Sequence, residues 1–310
     1  MTSDTARTPV ILLFGRNGQV GWELERVLAT RGRLISLERS GADGLTGDLT
    51  DADGLRETIR RIRPDVIFNA AAYTAVDKAE SEPELARLIN AGALGVIGEE
   101  AKRCGALVVH FSTDYVFNGE GDTPYREDDS TSLGPLNTYG QSKLEGEEAL
   151  RATGARHLIF RTSWVYGVHG KNFMKTVLRL AKSREHLSMV SDQTGAPTSA
   201  DFIADTAAAL ALRALAGEPL EGTWHLVPDG TTTWYSFSRW ILENAASGKS
   251  FLLMPDQISP ITSQEYPTPA KRPLNSRLDN TKLAAALPEG AIRPWEYYAL
   301  RTLDILTEKI

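Results

Sequence analysis

The chain has 310 residues, 42% of them hydrophobic, and a formal net charge of -6 at pH 7 with both signs interspersed. That length and apolar share provide for a sizeable core plus a second lobe, which excludes disorder as the main state. No basic run offers the stripe of charge that neutralises phosphates, so nucleic acid is excluded as a partner. Nor does any stretch approach the roughly 20 uninterrupted apolar residues of a membrane span.

The opening segment MTSDTARTP lacks the apolar centre of a signal peptide, and the single cysteine, Cys104, has no partner for an internal bridge. Both features predict a cytoplasmic protein. Buried strands are expected over 10–14, 34–37, 66–68, 107–111 and 158–160, each a short β-branched or apolar run. Helices are expected between them, beginning near Gly18, Asp51, Glu84 and Thr138. Asp51 suits an N-cap, because its carboxylate can accept from the free amides of the first turn. Such alternation predicts an α/β fold, a doubly wound parallel sheet with helices on both faces. After about Arg161 the rhythm changes to helices over 173–182 and 200–215 joined by short strands and loops, which reads as a smaller C-terminal lobe. A proline-rich run from Pro255 to Pro273, with Pro260, Pro267 and Pro269, is expected to be irregular and either to cover a cleft or to wrap the surface.

Gly15-Arg16-Asn17-Gly18-Gln19-Val20-Gly21 follows the first strand directly and opens the first helix. In that setting Gly15 permits a tight turn, Gly18 lets backbone approach a pyrophosphate, and Gly21 allows close packing of helix and strand. The bare spacing is weak in a chain with 26 glycines; its place between strand and helix is what favours a dinucleotide over an ordinary turn. This makes residues 1–165 a Rossmann-type NAD(P)-binding domain. Residues 166–310 are then mainly a substrate-binding lobe, with some segments returning to the first domain. Glu38, at the end of the second strand, can accept from adenosine ribose hydroxyls and favours NADH. Arg39 and Arg16 argue the other way, since a guanidinium pairs with a 2′-phosphate. Both NADH and NADPH are therefore expected as cofactors. Asp48-Leu49 is placed to line the adenine pocket, though a simple turn explains it equally well. The small residues of Ala70 to Thr74 suit backbone passing close to the cofactor.

Tyr139 and Lys143 stand four apart and share a helix face. A phenol, with its reference pKa of about 10, gives up a proton more readily beside a cation. It can then protonate the alkoxide that forms when hydride reaches a carbonyl carbon. Lys143 can also bond the nicotinamide ribose. A solvated helix face would produce the same spacing, so context decides. Val108 to Asp114 runs off a buried strand at its carboxyl end, where open α/β sheets bind ligands, which directs Thr113 to the same oxygen. A hydroxyl that merely caps the strand end is an equal reading of Thr113 alone.

With the glycine loop, Ser112-Thr113-Asp114-Tyr115-Val116-Phe117, the Tyr139 and Lys143 pair and Arg161-Thr162-Ser163-Trp164-Val165-Tyr166-Gly167 in order, the chain resembles the dTDP-4-dehydrorhamnose reductase family of the extended short-chain dehydrogenase/reductase superfamily. Asn69 to Glu80 and Asp192-Gln193-Thr194-Gly195-Ala196-Pro197-Thr198 are similar to that family's segments too. The resemblance implies reduction of the 4-keto group of dTDP-4-dehydro-β-L-rhamnose by NADH or NADPH, with a small-molecule nucleotide sugar as partner. It implies Tyr139 as catalytic acid, Lys143 as its helper, and Thr113 as the hydroxyl that orients the ketone. Thr113 and Asp114 would touch the sugar, and Trp164 would give an aromatic contact with the substrate, with a packed indole as the plainer reading. Gly18, Gln19, Val20, Glu38, Asp48, Leu49, Ala72, Tyr73 and Thr74 match cofactor contacts. Tyr73 is a departure, since some relatives carry histidine there, and the swap should alter packing more than chemistry. Some members bind magnesium at a dimer contact. Glu23 matches one acidic position, and Asp201 stands where a longer glutamate occurs, so a homodimer and magnesium are options with no metal ligand assigned. The five histidines, His110, His157, His169, His186 and His225, show no ligand spacing with cysteine, which argues against structural zinc.

Two rivals remain. A sugar-nucleotide dehydratase or epimerase shares the loop and the Tyr-Lys pair, but dehydratases of this type resemble one another in carrying glutamate where this chain has Tyr115. A non-catalytic regulatory subunit is the second, since a relative of the fold binds methionine adenosyltransferase.

Overall fold

The computed structural model describes residues 7–245 and 251–308, so residues 1–6 of the opening segment lie outside the described residues. Its centre is a six-stranded, all-parallel sheet. The strands are β1 (Val10–Phe14), β2 (Arg33–Leu37), β3 (Val66–Asn69), β4 (Leu107–Thr113) and β5 (His157–Thr162), with the edge strand Gly222–His225 beyond β5. Across the sheet the order is Gly222–His225, β5, β4, β3, β1, β2. The five expected strands are all present. The sixth comes from the second half of the chain, pairing Gly222–His225 with Leu158 to Arg161.

Alternate side chains of each strand enter opposite layers, as the pleat requires. Ile11, Leu13, Phe68 and Val109 pack with α1 (Gln19–Leu28) and α8 (Ala200–Leu215) on one face. On the other face Leu12, Phe14, Ile67 and Val108 meet α2 (Ala52–Ile62) and α5 (Ala93–Cys104). Strands covered on both faces read as continuous apolar runs, which is why 10–14 and 66–68 are legible in the sequence. The α2 cap is as expected, with Gly54 N–H donating to Asp51 Oδ1 at 2.9 Å.

Between β3 and β4 the helical path is interrupted. After α3 (Val76–Ala79), α4 (Pro83–Arg87) passes into a π-helical turn, Leu88–Gly92, and only then into α5. The helix α6 (Thr138–Thr153) then covers the sheet beside α5. A separate core holds the smaller lobe, where α7 (Phe173–Ala181) and α9 (Trp234–Asn244) pack with the closing helix Trp295–Glu308 through Met174, Val177, Phe237, Ile241 and Leu303. The proline-rich run departs from its expected irregularity. Ile258–Ile261 forms a strand paired with Leu187–Val190, with Pro260 inside it. A two-stranded pair leaves each strand one free edge, which is where a residue without an N–H is tolerated.

Because β2 lies to one side of β1 and β3 to the other, the connections diverge at the carboxyl ends of β1 and β3, opening a crevice there. The glycine loop, Glu38, Asp48, Leu49, Ala70 to Thr74, Thr113, Asp114, Tyr139 and Trp164 line it.

Candidate active site

The crevice is a cleft of about 1390 Å³ running from the glycine loop to the smaller lobe. Its cofactor side begins where β1 ends. Gly15 has φ +85, and a Cβ built on it would lie 2.6 Å from Ala71 N, so only glycine fits between the two crossovers. A Cβ on Gly21 would stand 2.0 Å from Gly15 O, which makes Gly21 the packing glycine, set back from the cleft. Gly18, in contrast, meets nothing closer than Gly15 O at 3.3 Å and opens α1 without a side-chain cap, leaving the first amides toward the cleft.

Gly15, Gly18, Gln19, Val20, Glu38, Arg39, Asp48, Leu49, Ala72, Tyr73 and Thr74 all line this cleft. Glu38 accepts from Asn17 Nδ2 and, at 3.0 Å, from Ser40 Oγ. Both arginines that argue for a 2′-phosphate are already paired. Arg39 Nε donates to Asp48 Oδ2 at 3.1 Å, and Arg16 bridges Glu25 at 3.0 Å. The Tyr73 segment is held by Asn90, which lies in the π turn. Asn90 Oδ1 accepts from Tyr73 N–H at 2.8 Å while Nδ2 donates to Tyr73 O at 3.1 Å and to Ser142 Oγ at 2.9 Å. Such turns recur at functional sites, because one extra residue re-aims a side chain. Sequence reading missed Asn90, as nothing in its neighbourhood distinguishes a π turn from an α-helix.

The far wall is built from the end of β4 and the start of α6. Asn137 caps α6 by accepting from Gly140 N–H at 2.8 Å, and its Nδ2 donates to Lys271 O at 2.8 Å, so the end of the proline-rich run is anchored at the start of this helix. Arg272 adds an ion pair to Asp77 at 2.9 Å. Thr113 Oγ1 accepts from Tyr115 N–H at 3.2 Å and donates to Asp114 Oδ1 at 3.1 Å, and its hydroxyl eases ionisation of the Tyr139 phenol. Thr113, Asp114 and Tyr139 thus share one wall of the cleft.

Electrostatics here follow burial. Desolvation pushes Asp114 up to about 6, opposed by the hydroxyls of Ser276 and Thr113, and its Oδ2 makes no hydrogen bond among the described residues. The Tyr139 phenol is pushed up to about 12 by burial, only partly offset by Thr113. Lys143 does not line the cleft. It is buried behind it, 1% exposed, with Nζ 2.6 Å from Phe111 O and 3.0 Å from His110 Nε2. Burial brings its pKa down to about 7, against the pull of Glu147. The lowering of the phenol's pKa expected from an adjacent cation is not seen at Tyr139, where burial outweighs the opposing Thr113 hydroxyl.

Trp164 lines the cleft with φ +47, a left-handed conformation that bulky residues seldom adopt. Its indole stacks on Trp234, with ring centroids 3.6 Å apart and planes 12° from parallel. Trp234 is fixed in turn by Nε1 donating to Gln193 Oε1 at 3.1 Å and by Phe173. Trp234 also lines the cleft and was missed, since an aromatic at a helix start reads as core.

The magnesium option finds no support. Glu23 accepts from Arg26 at 2.8 Å, and no cluster of three or more acidic, histidine or cysteine side chains among the described residues could hold a metal. No helix among them is long and apolar enough to cross a membrane.

A doubly wound sheet, a glycine loop at its switch point and a phenol beside the β4 hydroxyl define a Rossmann-type protein of the extended short-chain dehydrogenase/reductase kind. The model of the RmlD substrate binding domain family matches residues 9–307, and the chain belongs to that family. It is 49% identical over 300 residues to the dTDP-4-dehydrorhamnose reductase of Escherichia coli K12, covering 96% of this chain and 97% of the relative. With the enzyme of that name from Salmonella typhimurium it shares 52% identity over 272 residues, 88% and 90% of the two chains. Among solved structures, the dTDP-4-dehydrorhamnose reductase of Bacillus anthracis in complex with NADP superimposes with a TM-score of 0.85 at 31% identity, covering 96% of this chain and 99% of the other. The dTDP-glucose 4,6-dehydratase of Streptomyces venezuelae, 20% identical with a TM-score of 0.74, shares the fold alone.

Proposed function

We propose that this chain reduces the 4-keto group of dTDP-4-dehydro-β-L-rhamnose to give dTDP-β-L-rhamnose, using NADPH or NADH. The observation that carries the reading is that Tyr139 and Thr113 line the same cleft as the glycine loop. The named relatives agree with it over nearly the whole chain.

The residues present fit a nicotinamide dinucleotide. Gly15 and Gly21 are spent on packing, while Gly18 leaves backbone open to the cleft. The amides at the start of α1 would meet the pyrophosphate. Glu38 would accept from the adenosine ribose, with Arg39 beside it for a 2′-phosphate, and Leu49 and the Ala72 to Thr74 segment would flank the remainder. When bound, the group supplies hydride to the ketone carbon.

The chain's own contribution is a proton and its placement. Thr113 donates to Asp114 Oδ1 at 3.1 Å, and the Tyr139 phenol lines the cleft on the same wall. A ketone oxygen arriving beside them gives the phenol an acceptor, increasingly so as negative charge builds on it. A phenol held at about 12 keeps its proton until that charge appears. Trp164 and Trp234 give the sugar nucleotide a flat apolar wall, and Tyr115 replaces the carboxylate that elimination would need.

The test is an assay of the purified chain with dTDP-4-dehydrorhamnose, following cofactor oxidation and identifying the sugar formed. Consumption of NADPH or NADH with dTDP-rhamnose as product is expected, and Michaelis constants for both cofactors measure the preference. No consumption would return the chain to a nucleotide-binding, non-catalytic role.

A further inference from the structure

Residues 167–172, which join the short strand Val165–Tyr166 to α7, lie against the glycine loop and the start of α1. His169 Nε2 stands 3.1 Å from Asn17 O, a carbonyl that only accepts, so the ring donates there. The same ring stacks on Trp22, with centroids 4.4 Å apart and planes 6° from parallel. Asn172 Nδ2 donates to Gly167 O at 2.7 Å and to Gln19 Oε1 at 3.0 Å, while its Oδ1 accepts from Lys175 N–H at 3.1 Å. Gly170, at φ +75, presses so close that a Cβ would stand 2.9 Å from Gln19 Cγ. From within, Lys175 Nζ holds the segment by donating to Val168 O at 2.5 Å and to Gly170 O at 2.8 Å.

Seated in this way, the segment brings a charge to the cleft. The charged residues of the lining are Glu38, Arg39, Asp48, Asp114 and Lys171. Arg39 is engaged by Asp48. Lys171 is exposed and makes no hydrogen bond or ion pair among the described residues. Its chain neighbour Gly170 touches Gln19, so the lysine stands one residue from direct contact with the first turn of α1. A dinucleotide's pyrophosphate is a dianion, whereas a helix N-terminus answers it with roughly half an elementary charge. The carboxylates of Glu38 and Asp48 add nothing favourable to an anion. An unpaired ammonium beside that terminus supplies the missing charge, and as a point charge on a flexible stem it needs no bidentate geometry to do so.

We propose that Lys171 is a counter-ion for the cofactor pyrophosphate, carried to the glycine loop from the side of the smaller lobe. Although this rests on the reading of the cleft as a dinucleotide site, its test measures binding and needs no turnover. Dissociation constants of the full chain for NADPH, NADH, ADP-ribose and dTDP are measured by titration calorimetry at low ionic strength. ADP-ribose keeps the pyrophosphate but has neither the nicotinamide nor a 2′-phosphate. Lys171→Met should weaken NADPH, NADH and ADP-ribose alike, by about tenfold, and leave dTDP unchanged. The loss should shrink as salt is added, and Lys171→Arg should restore most of the affinity with Tm unaltered in both variants. A loss confined to NADPH would give the lysine to the 2′-phosphate, and one confined to dTDP would give it to the substrate's diphosphate. Unchanged affinity throughout would leave it a solvated surface charge. Each of these three results overturns the proposal, as does a failure of the unaltered chain to bind any of the three dinucleotide ligands. Binding of ADP-ribose that depends on Lys171, together with a failed reductase assay, would leave this assignment standing and remove only the substrate reading.

Discussion

The indole of Trp164 lies flat on that of Trp234, 3.6 Å between ring centres, although Trp164 sits in a left-handed backbone conformation. Such a conformation costs of order 1–3 kcal/mol and persists only where its surroundings over-determine it. Here the surroundings are Trp234 on one side and Gly195 on the other, where a Cβ would stand 2.7 Å from Trp164 Cε2. Trp234→Ala should lower kcat/KM for the sugar nucleotide about tenfold, mostly through KM, as about 1.4 kcal/mol of stacking is lost. Gly195→Ala should do the same by displacing Trp164 directly. The Kd of NADPH, measured by fluorescence titration, should stay unchanged in both.

Tyr139→Phe removes the proton donor and nothing that lines the glycine loop. Turnover should fall by roughly 10²–10⁴-fold, with cofactor affinity preserved. Near-normal turnover would show that another group protonates the oxygen.

Asp114 is buried with one oxygen unpartnered, and its pKa in the folded chain is raised to about 6. A raised value means that the ionised form destabilises the fold at neutral pH, and that this penalty disappears as pH falls below the unfolded value of about 3.9. Asp114→Asn should therefore raise Tm at pH 7.5, by an amount that shrinks toward pH 4, while kcat/KM drops. Thermal melts across that range check the sign.

Glu147 is wholly buried and receives two bonds from Arg161, at 3.0 and 2.7 Å, and one from Arg151 at 2.6 Å. Burial alone would push this carboxyl up, but the arginines outweigh it and hold it below its ordinary value. Its stabilisation is complete above the unfolded pKa of about 4.3 and is lost as pH falls through the lower folded value. His225, depressed to about 3 by burial and by Arg161, adds a second loss that begins as pH drops below about 6.5. Acid melts should thus show Tm declining in two stages. Glu147→Ala, which strands Arg161, should cost about 3–5 kcal/mol at pH 7 by urea denaturation; a change under 1 kcal/mol would refute the role of the pair.

The glycine loop and the first strands could be read from sequence because strands buried on both faces and a crossover at the switch point leave strong local signatures. Gly222–His225 could not, since an edge strand reading Gly-Thr-Trp-His has no apolar run and its partner, β5, lies some sixty residues earlier. The same applies to the site. Tyr139, Thr113 and Trp164 belong to motifs, and the structure brings all three to the cleft. Asn90 acts only through contacts between the π turn, the Tyr73 segment and α6, and no spacing along the chain encodes those. Lys143 was legible as a residue but not as a buried one, because its burial is set by the sheet behind it.

A π turn is in effect a single inserted residue absorbed by a helix. Deleting one residue within Leu88–Gly92 would let α4 and α5 join as one regular helix, yet each residue of an α-helix turns by about 100°. Asn90 would swing off its two bonds to Tyr73 and the one to Ser142. The shortened chain would hold a better helix and a poorer site, so the irregularity should persist under selection for turnover and be the first feature to vanish under selection for stability alone.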